Sequence, residues 1–184
     1  MSFGGIFRCL GATVVLLALA ACGAEPSPDA SEANERFNIY LVRHAEKTVE
    51  QDDPDLTEAG RARAELLAEL LGGEPIRAVW STDYRRTQMT AAPLAARLGL
   101  DVRSYDAADL GAFAAQLLEE GETAVIVGHS NTTPQLSVEL GGEPGEPIVE
   151  ATEYDRLYVL TISGEGEVDT DIRRFGASHD GGTE

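Results

Sequence analysis

Segments typical of β-strands and α-helices alternate along the chain from Phe37 onward, and this alternation constrains the fold more than any other sequence feature. Short apolar runs predict strands, and longer segments with apolar residues every three or four positions predict helices. The predicted strands are Phe37–Arg43, Ile76–Trp80, Asp101–Tyr105 and Thr123–Val127, and the predicted helices are Leu56–Leu71, about Asp83–Leu98, Leu110–Glu120 and about Pro134–Leu140. This alternation indicates an α/β fold, a three-layer αβα sandwich around a mostly parallel central sheet.

Two runs near the end of the chain predict a different strand pairing. Arg156–Ile162 and Glu167–Phe175 flank the turn sequence SGEG, a pattern typical of an antiparallel hairpin. We expect this hairpin at the edge of the sheet. Thr123–Val127 reads TAVIV, a continuous run rich in β-branched residues, so this strand is expected to be covered on both faces.

The first 22 residues have the composition of an export signal. Arg8 precedes the uncharged run Leu10–Ala21, which is short for a membrane span, and this predicts a secretory signal over residues 1–21. The end of the run, Leu19-Ala20-Ala21-Cys22, resembles the bacterial lipobox, in which the signal is cut before a cysteine that carries the lipid. The resemblance implies that Cys22 anchors the protein to the bacterial cell envelope, outside the cytoplasm. Residues 22–35 are small, polar and proline-containing, as in a flexible tether.

The charge of the chain is strongly one-sided, since 14 Lys and Arg oppose 32 Asp and Glu for a formal net charge of −18. Such a surface repels polyanions, so we expect no nucleic acid partner, and membrane contact only through the lipid at Cys22. Cys9 would leave with the signal, so no disulfide within the chain is expected. The predicted domain covers residues 36–176, and a disordered tail over 177–184 contains His179, which we do not expect to take part in a site.

Three predicted strands end in side chains that can bind an anion. Arg43 and His44 follow the first strand, Arg85 and Arg86 lie in STDYRRTQMTA after the second, and His129 lies in GHSNT after the buried strand. The carboxyl ends of parallel strands meet at one crevice, where ligands bind, and a helix N-terminus there offers free N–H groups. The sequence therefore predicts a pocket for a dianion, with only one of the two adjacent helical arginines facing it.

Four motifs resemble those of one enzyme family. LVRHAEK, LTEAGRARA, STDYRRTQMTA and VGHSNT stand in the order and approximate spacing of the histidine phosphatase superfamily, in its phosphoglycerate-mutase-like branch. The resemblance covers Asn38 to about Leu140. It implies that His44 is the nucleophile that becomes phosphorylated and that Arg43, Arg86 and His129 hold the phosphoryl group.

The family pattern also selects between the adjacent arginines, because it places its arginine four residues before the threonine of Thr90-Ala91. That arginine is Arg86. The chemistry suits these roles, since nearby guanidinium groups disfavour a charged imidazole and keep the attacking nitrogen of His44 free. The same groups offer charge-assisted hydrogen bonds to phosphoryl oxygens. We expect no cofactor and no metal, because the sequence has no cluster of residues with metal-ligand spacing.

The acid that protonates the leaving alcohol is the open assignment. Mutases of the family carry a glutamate for this role in an acidic, glycine-containing insert after the second helix, and this chain has only LDVRSYDAADLGAF there. Asp106 is our first choice because it lies nearer the strand end. Asp109, which stands where a helix cap belongs, and Glu46 are the alternatives, although we expect Glu46 to pair with an arginine of the pocket.

The missing insert favours water over a second substrate as the phosphoryl acceptor. The expected function is therefore hydrolysis of phosphomonoesters on a small phosphorylated substrate through a phosphohistidine at His44. Two alternatives stay open at this point: a phosphohistidine protein phosphatase, which the short insert region also resembles, and a catalytically silent lipoprotein that binds a phosphate ligand.

Overall fold

The structure is a computed structural model that describes residues 36–49 and 52–178. Its strands are β1 (Phe37–Arg43), β2 (Ala78–Ser81), β3 (Val102–Ser104), β4 (Ala124–Gly128), β5 (Arg156–Ile162) and β6 (Val168–Arg174), and its helices are α1 (Glu58–Leu71), α2 (Arg85–Leu98), α3 (Leu110–Glu120) and α4 (Thr132–Glu139). The predicted signal, Cys22, the tether and His179 lie outside the described residues.

The strands form one sheet in the order β3-β2-β4-β1-β5-β6. The four strands β3, β2, β4 and β1 run parallel, β5 runs antiparallel to β1, and β6 pairs antiparallel with β5 at the edge. The predicted sandwich with a mostly parallel sheet and an antiparallel edge hairpin is confirmed.

Alternation along β1 divides the core between the two faces of the sheet. Ile39 and Leu41 belong to an apolar cluster that includes residues of α3 and α4. Tyr40 and Val42, on the opposite face, belong to a cluster that includes residues of α1 and α2. Successive side chains of a strand point to opposite faces, so one pair of helices covers each face. None of the helices in the described part of the chain is long and apolar enough to cross a membrane.

Most predicted boundaries agree with the structure to within two residues, and two differences have a local cause. α2 begins at Arg85 and not near Asp83, whose carboxylate accepts a hydrogen bond from the Ser104 hydroxyl at 2.5 Å. α4 begins at Thr132, two residues before Pro134. A proline is tolerated in the first turn because the N–H it lacks would have no helical partner there.

Helix α1 packs closely on the loop that follows His44. Thr57 caps the helix by accepting a hydrogen bond from the Gly60 N–H at 3.0 Å. Gly60 lies directly against the backbone of Glu46, where a Cβ atom would collide with the Glu46 carbonyl oxygen. The absence of a side chain at Gly60 therefore sets the distance between α1 and this loop.

Candidate active site

The parallel pairing of β1 with β4 brings the two histidines together. The register places Arg43 opposite Gly128, so the residues that follow, His44 and His129, leave the sheet side by side. The His44 N–H donates to the Gly128 carbonyl at 2.9 Å, and the ring centroids of His44 and His129 are 5.6 Å apart. Two positions 85 residues apart in the sequence thus form one site.

The His44 ring is oriented for attack through Nε2. Its side chain is buried, and its Nδ1 lies 2.8 Å from the Ala45 carbonyl oxygen. Because a carbonyl can only accept a hydrogen bond, Nδ1 carries the proton and Nε2 keeps its lone pair. Burial lowers the pKa of His44 to about 3, with Arg43, Arg86 and His129 acting in the same direction against the Ala45 hydrogen bond. The imidazole is therefore neutral near neutral pH, with an unprotonated Nε2.

Arg43 is held from two sides. Its Nη1 donates to the Glu153 carbonyl at 2.9 Å, and its guanidinium lies 4.2 Å from the centre of the Tyr154 ring. The side chain is almost fully buried, with 3% relative exposure. A guanidinium held in one orientation beside His44 is prepared to bind an anion.

Arg86 faces the same site from the first turn of α2. Its guanidinium lies 4.3 Å from the centre of the Tyr84 ring, and its Nη2 lies 3.5 Å from His129 Nδ1. The Asp53 carboxylate lies 3.6 Å from Nη1. The neighbouring Arg85 points outward instead, with its side chain 60% exposed and paired with Asp55 at 2.5 Å.

His129 is positioned by threonines. Its Nε2 lies 3.1 Å from the Thr82 hydroxyl, and its backbone N–H donates to the Thr132 hydroxyl at 3.0 Å. Burial, together with the charges of Arg86 and Arg43, lowers the pKa of His129 to about 4. His129 is therefore also neutral near neutral pH, so it can donate only one ring N–H to a bound anion.

Both arginines hold a buried donor that has no acceptor. Among the described residues, three buried side-chain polar atoms lack a hydrogen-bond partner: Arg43 Nε, Arg86 Nε and Trp80 Nε1. Leaving a buried donor unsatisfied costs roughly 1–3 kcal/mol, and more for a charged group. An anion bound between the two guanidinium groups would offer them acceptors.

The cleft beside His44 has a volume of about 490 Å³. Its lining residues come from five segments of the chain: His44, Lys47, Tyr84, Arg86, Ala107, His129, Ser130, Asn131, Thr132 and Glu150. Two open depressions adjoin it. One, of about 670 Å³, shares Tyr84 and Ala107 with the cleft, and the other, of about 540 Å³, shares Ser130, Asn131 and Glu150.

None of the three carboxylates suggested by the sequence lines this cleft. Asp106 lines the first depression and accepts a hydrogen bond from the Ala108 N–H at 2.9 Å. Asp109 caps α3 by accepting from the Ala112 N–H at 3.1 Å.

The expectation that Glu46 pairs with an arginine of the pocket was wrong. Glu46 forms a two-pronged ion pair with Arg63 of α1, at 2.7 Å from Nη2 and 3.0 Å from Nε. The physical reason is the close approach of Gly60, which draws the loop after His44 toward α1 and turns the Glu46 carboxylate to that helix.

Sequence reasoning missed the contribution of the loop between α4 and β5. Glu150, Glu153 and Tyr154 all belong to this segment, GGEPGEPIVEATEYD over residues 141–155. Its glutamates are alike in the sequence, and no local pattern marks the ones near Arg43. Within residues 36–49 and 52–178, no three His, Cys, Asp or Glu side chains are grouped so that they could hold a metal ion.

Comparison with known families agrees with this geometry. The sequence model of the histidine phosphatase superfamily (branch 1) matches residues 39–109, which contain Arg43, His44 and Arg86. The part of this chain that holds Arg43, His44 and Arg86 is thus similar to the histidine phosphatase superfamily. The matched region stops before His129, which the register of β1 and β4 brings into the cleft.

One curated protein similar to this chain is phosphoserine phosphatase 1 of Hydrogenobacter thermophilus, with 35% identity over 92 residues. The alignment covers 45% of this chain and 44% of that protein, so the chain spans less than half the length of this relative.

Solved structures share the fold of this chain. The protein histidine phosphatase SixA, complexed with tungstate, gives a TM-score of 0.62 at 18% identity over 75% of this chain and 97% of that chain. A mycobacterial glucosyl-3-phosphoglycerate phosphatase gives a TM-score of 0.59 at 19% identity over 78% of this chain and 100% of that chain. A phosphoserine phosphatase of Entamoeba histolytica, complexed with 3-phosphoglyceric acid, gives a TM-score of 0.56 at 17% identity over 78% of this chain and 98% of that chain.

Proposed function

We propose that this protein is a phosphatase that hydrolyses phosphomonoesters through a phosphohistidine at His44. The observation that carries the proposal is a buried, neutral His44 that feels the charges of Arg43 and Arg86, whose Nε donors lack acceptors. A phosphoryl group has the charge and the oxygen acceptors that these donors require. The match of residues 39–109 to the superfamily and the similarity to a phosphoserine phosphatase support the same activity.

The proposed reaction has two in-line steps. His44 Nε2 attacks phosphorus, and the bond from phosphorus to the leaving oxygen breaks. Arg43, Arg86 and the ring N–H of His129 stabilise the charge on the phosphoryl oxygens as it develops. Water then attacks the phosphohistidine, and the electron pair of the P–N bond returns to Nε2. Neither step requires a metal ion, and none is part of the proposal.

The surroundings of the cleft favour a small organic substrate with water as acceptor. The two adjoining depressions offer room for a leaving group, and the stretch between β3 and α3 is only Tyr105–Asp109. That stretch is too short to add a second phosphate site. Because the cleft opens into both depressions, a phosphorylated protein side chain is the second candidate substrate, as for a phosphohistidine protein phosphatase.

We also propose that the enzyme acts outside the cytoplasm as a lipid-anchored protein. The support is the sequence Leu19-Ala20-Ala21-Cys22 after an uncharged run, with Cys22 as the lipid attachment site. Metabolic labelling with a radioactive fatty acid would label the wild type and not Cys22→Ser.

Hydrolysis of p-nitrophenyl phosphate by wild type and His44→Ala tests the activity. We expect loss of turnover by at least about 10³-fold in His44→Ala, since covalent catalysis then has no nucleophile. Vanadate binding should persist in part, because Arg43, Arg86 and His129 are intact. Radiolabel trapped on a residue other than His44 would contradict the mechanism, and a wild type without turnover on a broad phosphoester panel would favour a silent binding protein.

The adjacent pair Arg85 and Arg86 supplies a matched control. Arg86→Ala should lower kcat/KM by about 10²–10³-fold, because one positioned donor to a developing oxyanion contributes on that order. Arg85→Ala, which removes an exposed surface ion pair, should change kcat/KM by less than about 3-fold. Equal losses in both variants would show that Arg86 has no special role.

A further inference from the structure

We propose that Glu150 is the acid that protonates the leaving oxygen. The proposal rests on the phosphatase function proposed above and adds a catalytic residue to it. Glu150 lies on the loop between α4 and β5, outside the region that the superfamily model matches and away from the acids suggested by the sequence.

The position of Glu150 in the cleft supports this role. Among the described residues that line the cleft beside His44, Glu150 is the only carboxylate. It also lines the depression formed with Pro134, Pro147 and Ile148. Glu150 therefore stands where the phosphoryl cleft meets a space for an organic group, which is where the bond to the leaving oxygen must break.

Glu153 anchors the loop that carries Glu150. The Glu153 carboxylate accepts from the Val149 N–H at 2.9 Å and pairs with Arg156 at 2.5 Å and Arg174 at 2.7 Å. The carbonyl of the same residue accepts from Arg43 Nη1. Glu153 thus holds both the backbone next to Glu150 and a guanidinium of the phosphoryl site, so the two are positioned together.

The charge of Arg43 also acts on Glu150. Glu150 interacts electrostatically with Arg43, which places its carboxyl group on the side of the phosphoryl-binding guanidinium.

Other nearby carboxylates are engaged as acceptors. Asp53 accepts hydrogen bonds from the Arg85 N–H at 3.0 and 3.2 Å and faces the charge of Arg86. Asp53 does not line the cleft beside His44. Asp106 lines the other depression, where one of its oxygens accepts from the Ala108 N–H.

The proton balance closes over one turnover. As His44 Nε2 bonds to phosphorus, the P–O bond breaks and the Glu150 carboxyl gives its proton to the leaving oxygen, releasing the alcohol. The Glu150 carboxylate then takes a proton from the water that attacks phosphorus, the P–N bond breaks, and inorganic phosphate leaves. Glu150 and His44 return to their starting protonation states.

Leaving-group dependence tests the proposal, with Glu150→Gln compared with wild type and with Glu146→Gln from the same loop. Glu146 is an exposed residue whose backbone carbonyl accepts from Arg156, so its side chain serves as the control. We expect Glu150→Gln to lower kcat/KM for an alkyl phosphate such as glycerol 2-phosphate by about 10²–10³-fold. For p-nitrophenyl phosphate the change should be within about 3-fold, because p-nitrophenolate leaves without a proton.

The readout kcat/KM isolates the first step, so a slower second step does not obscure the result. Equal losses on both substrates, or no loss on either, would overturn the role of Glu150 while leaving the phosphatase function intact. A wild type without activity on p-nitrophenyl phosphate would overturn the function itself. Glu146→Gln should match the wild type on both substrates, and a loss there equal to that of Glu150→Gln would also contradict the assignment.

Discussion

His44 and His129 are neutral bases because the fold buries them beside two guanidinium groups. Burial lowers the pKa of His44 to about 3 and that of His129 to about 4, and the arginines act in the same direction. In the unfolded chain both would return to the ordinary value near about 6.5. Protons therefore bind the unfolded state more strongly than the folded state between these values.

This difference predicts how stability depends on pH. Because each folded-state pKa lies below the unfolded value, each histidine contributes stability above about pH 6.5 that is lost as the pH falls toward about 4. The slope is up to about 1.4 kcal/mol per pH unit for each histidine. Urea unfolding of wild type and His44→Gln should show the wild type losing more stability than the variant between about pH 7 and about pH 5.

Comparison with His44→Gln removes the contribution of the many carboxylates, which titrate in both proteins. A difference in unfolding free energy that stays constant over this range would contradict the lowered pKa of His44. Saturating vanadate should not be present, since a bound anion changes the charge around both rings.

At the scale of elements, α1 and the loop after His44 depend on a close contact. Gly60 leaves space for the Glu46 backbone, and Arg63 of the same helix pairs with the Glu46 carboxylate. Arg63 Nη1 also donates to the Phe175 carbonyl at 2.8 Å, just beyond the end of β6. Helix α1 therefore connects the segment after the nucleophile to the last strand.

Substitution of two helical glycines by alanine distinguishes the effect of this contact on stability from the general effect of alanine on helix stability. Gly60→Ala should destabilise the protein by about 1–3 kcal/mol, because the added methyl group meets backbone that must move. Gly111→Ala, on α3, meets only a side-chain atom of Glu139 at 3.7 Å and should stabilise by up to about 1 kcal/mol. Unfolding in urea measures both, and stabilisation by Gly60→Ala would show that the contact is loose.

The boundaries of the elements were predictable because their signals are local. Thr57 and Asp109 act as helix caps, as their types and positions indicated, and α3, β1 and β5 have the predicted bounds. The loop over 141–155 carries no such signal. Its conformation depends on pairs such as Glu153 with Arg174, which are distant partners that periodicity cannot identify.

At the scale of the whole molecule, the net charge of −18 opposes the approach of an anionic substrate. Salt screens this repulsion, since the Debye length falls from about 30 Å at 0.01 M to about 8 Å at 0.15 M. We expect kcat/KM for p-nitrophenyl phosphate to rise about 2–5-fold as the ionic strength increases over that range. Rate measurements at increasing NaCl concentration would check this.

The local charge of the cleft acts in the opposite sense, because Arg43 and Arg86 attract the phosphoryl group. A decrease of kcat/KM over the same range would show that these two guanidinium groups, and not the whole surface, dominate the encounter. Potassium acetate in place of NaCl controls for competition by chloride at the site.

The sequence by itself determined the succession of strands and helices along the chain, and it predicted that Arg43, His44, Arg86 and His129 meet in one pocket. It could do so because hydrophobic periodicity is local and because the carboxyl ends of parallel strands share one crevice. Only the tertiary structure decided which carboxylates face that crevice. The Glu46 carboxylate pairs with Arg63 of α1, and Glu150 lines the cleft. The sequence could not indicate either position, because both depend on contacts between segments far apart in the chain.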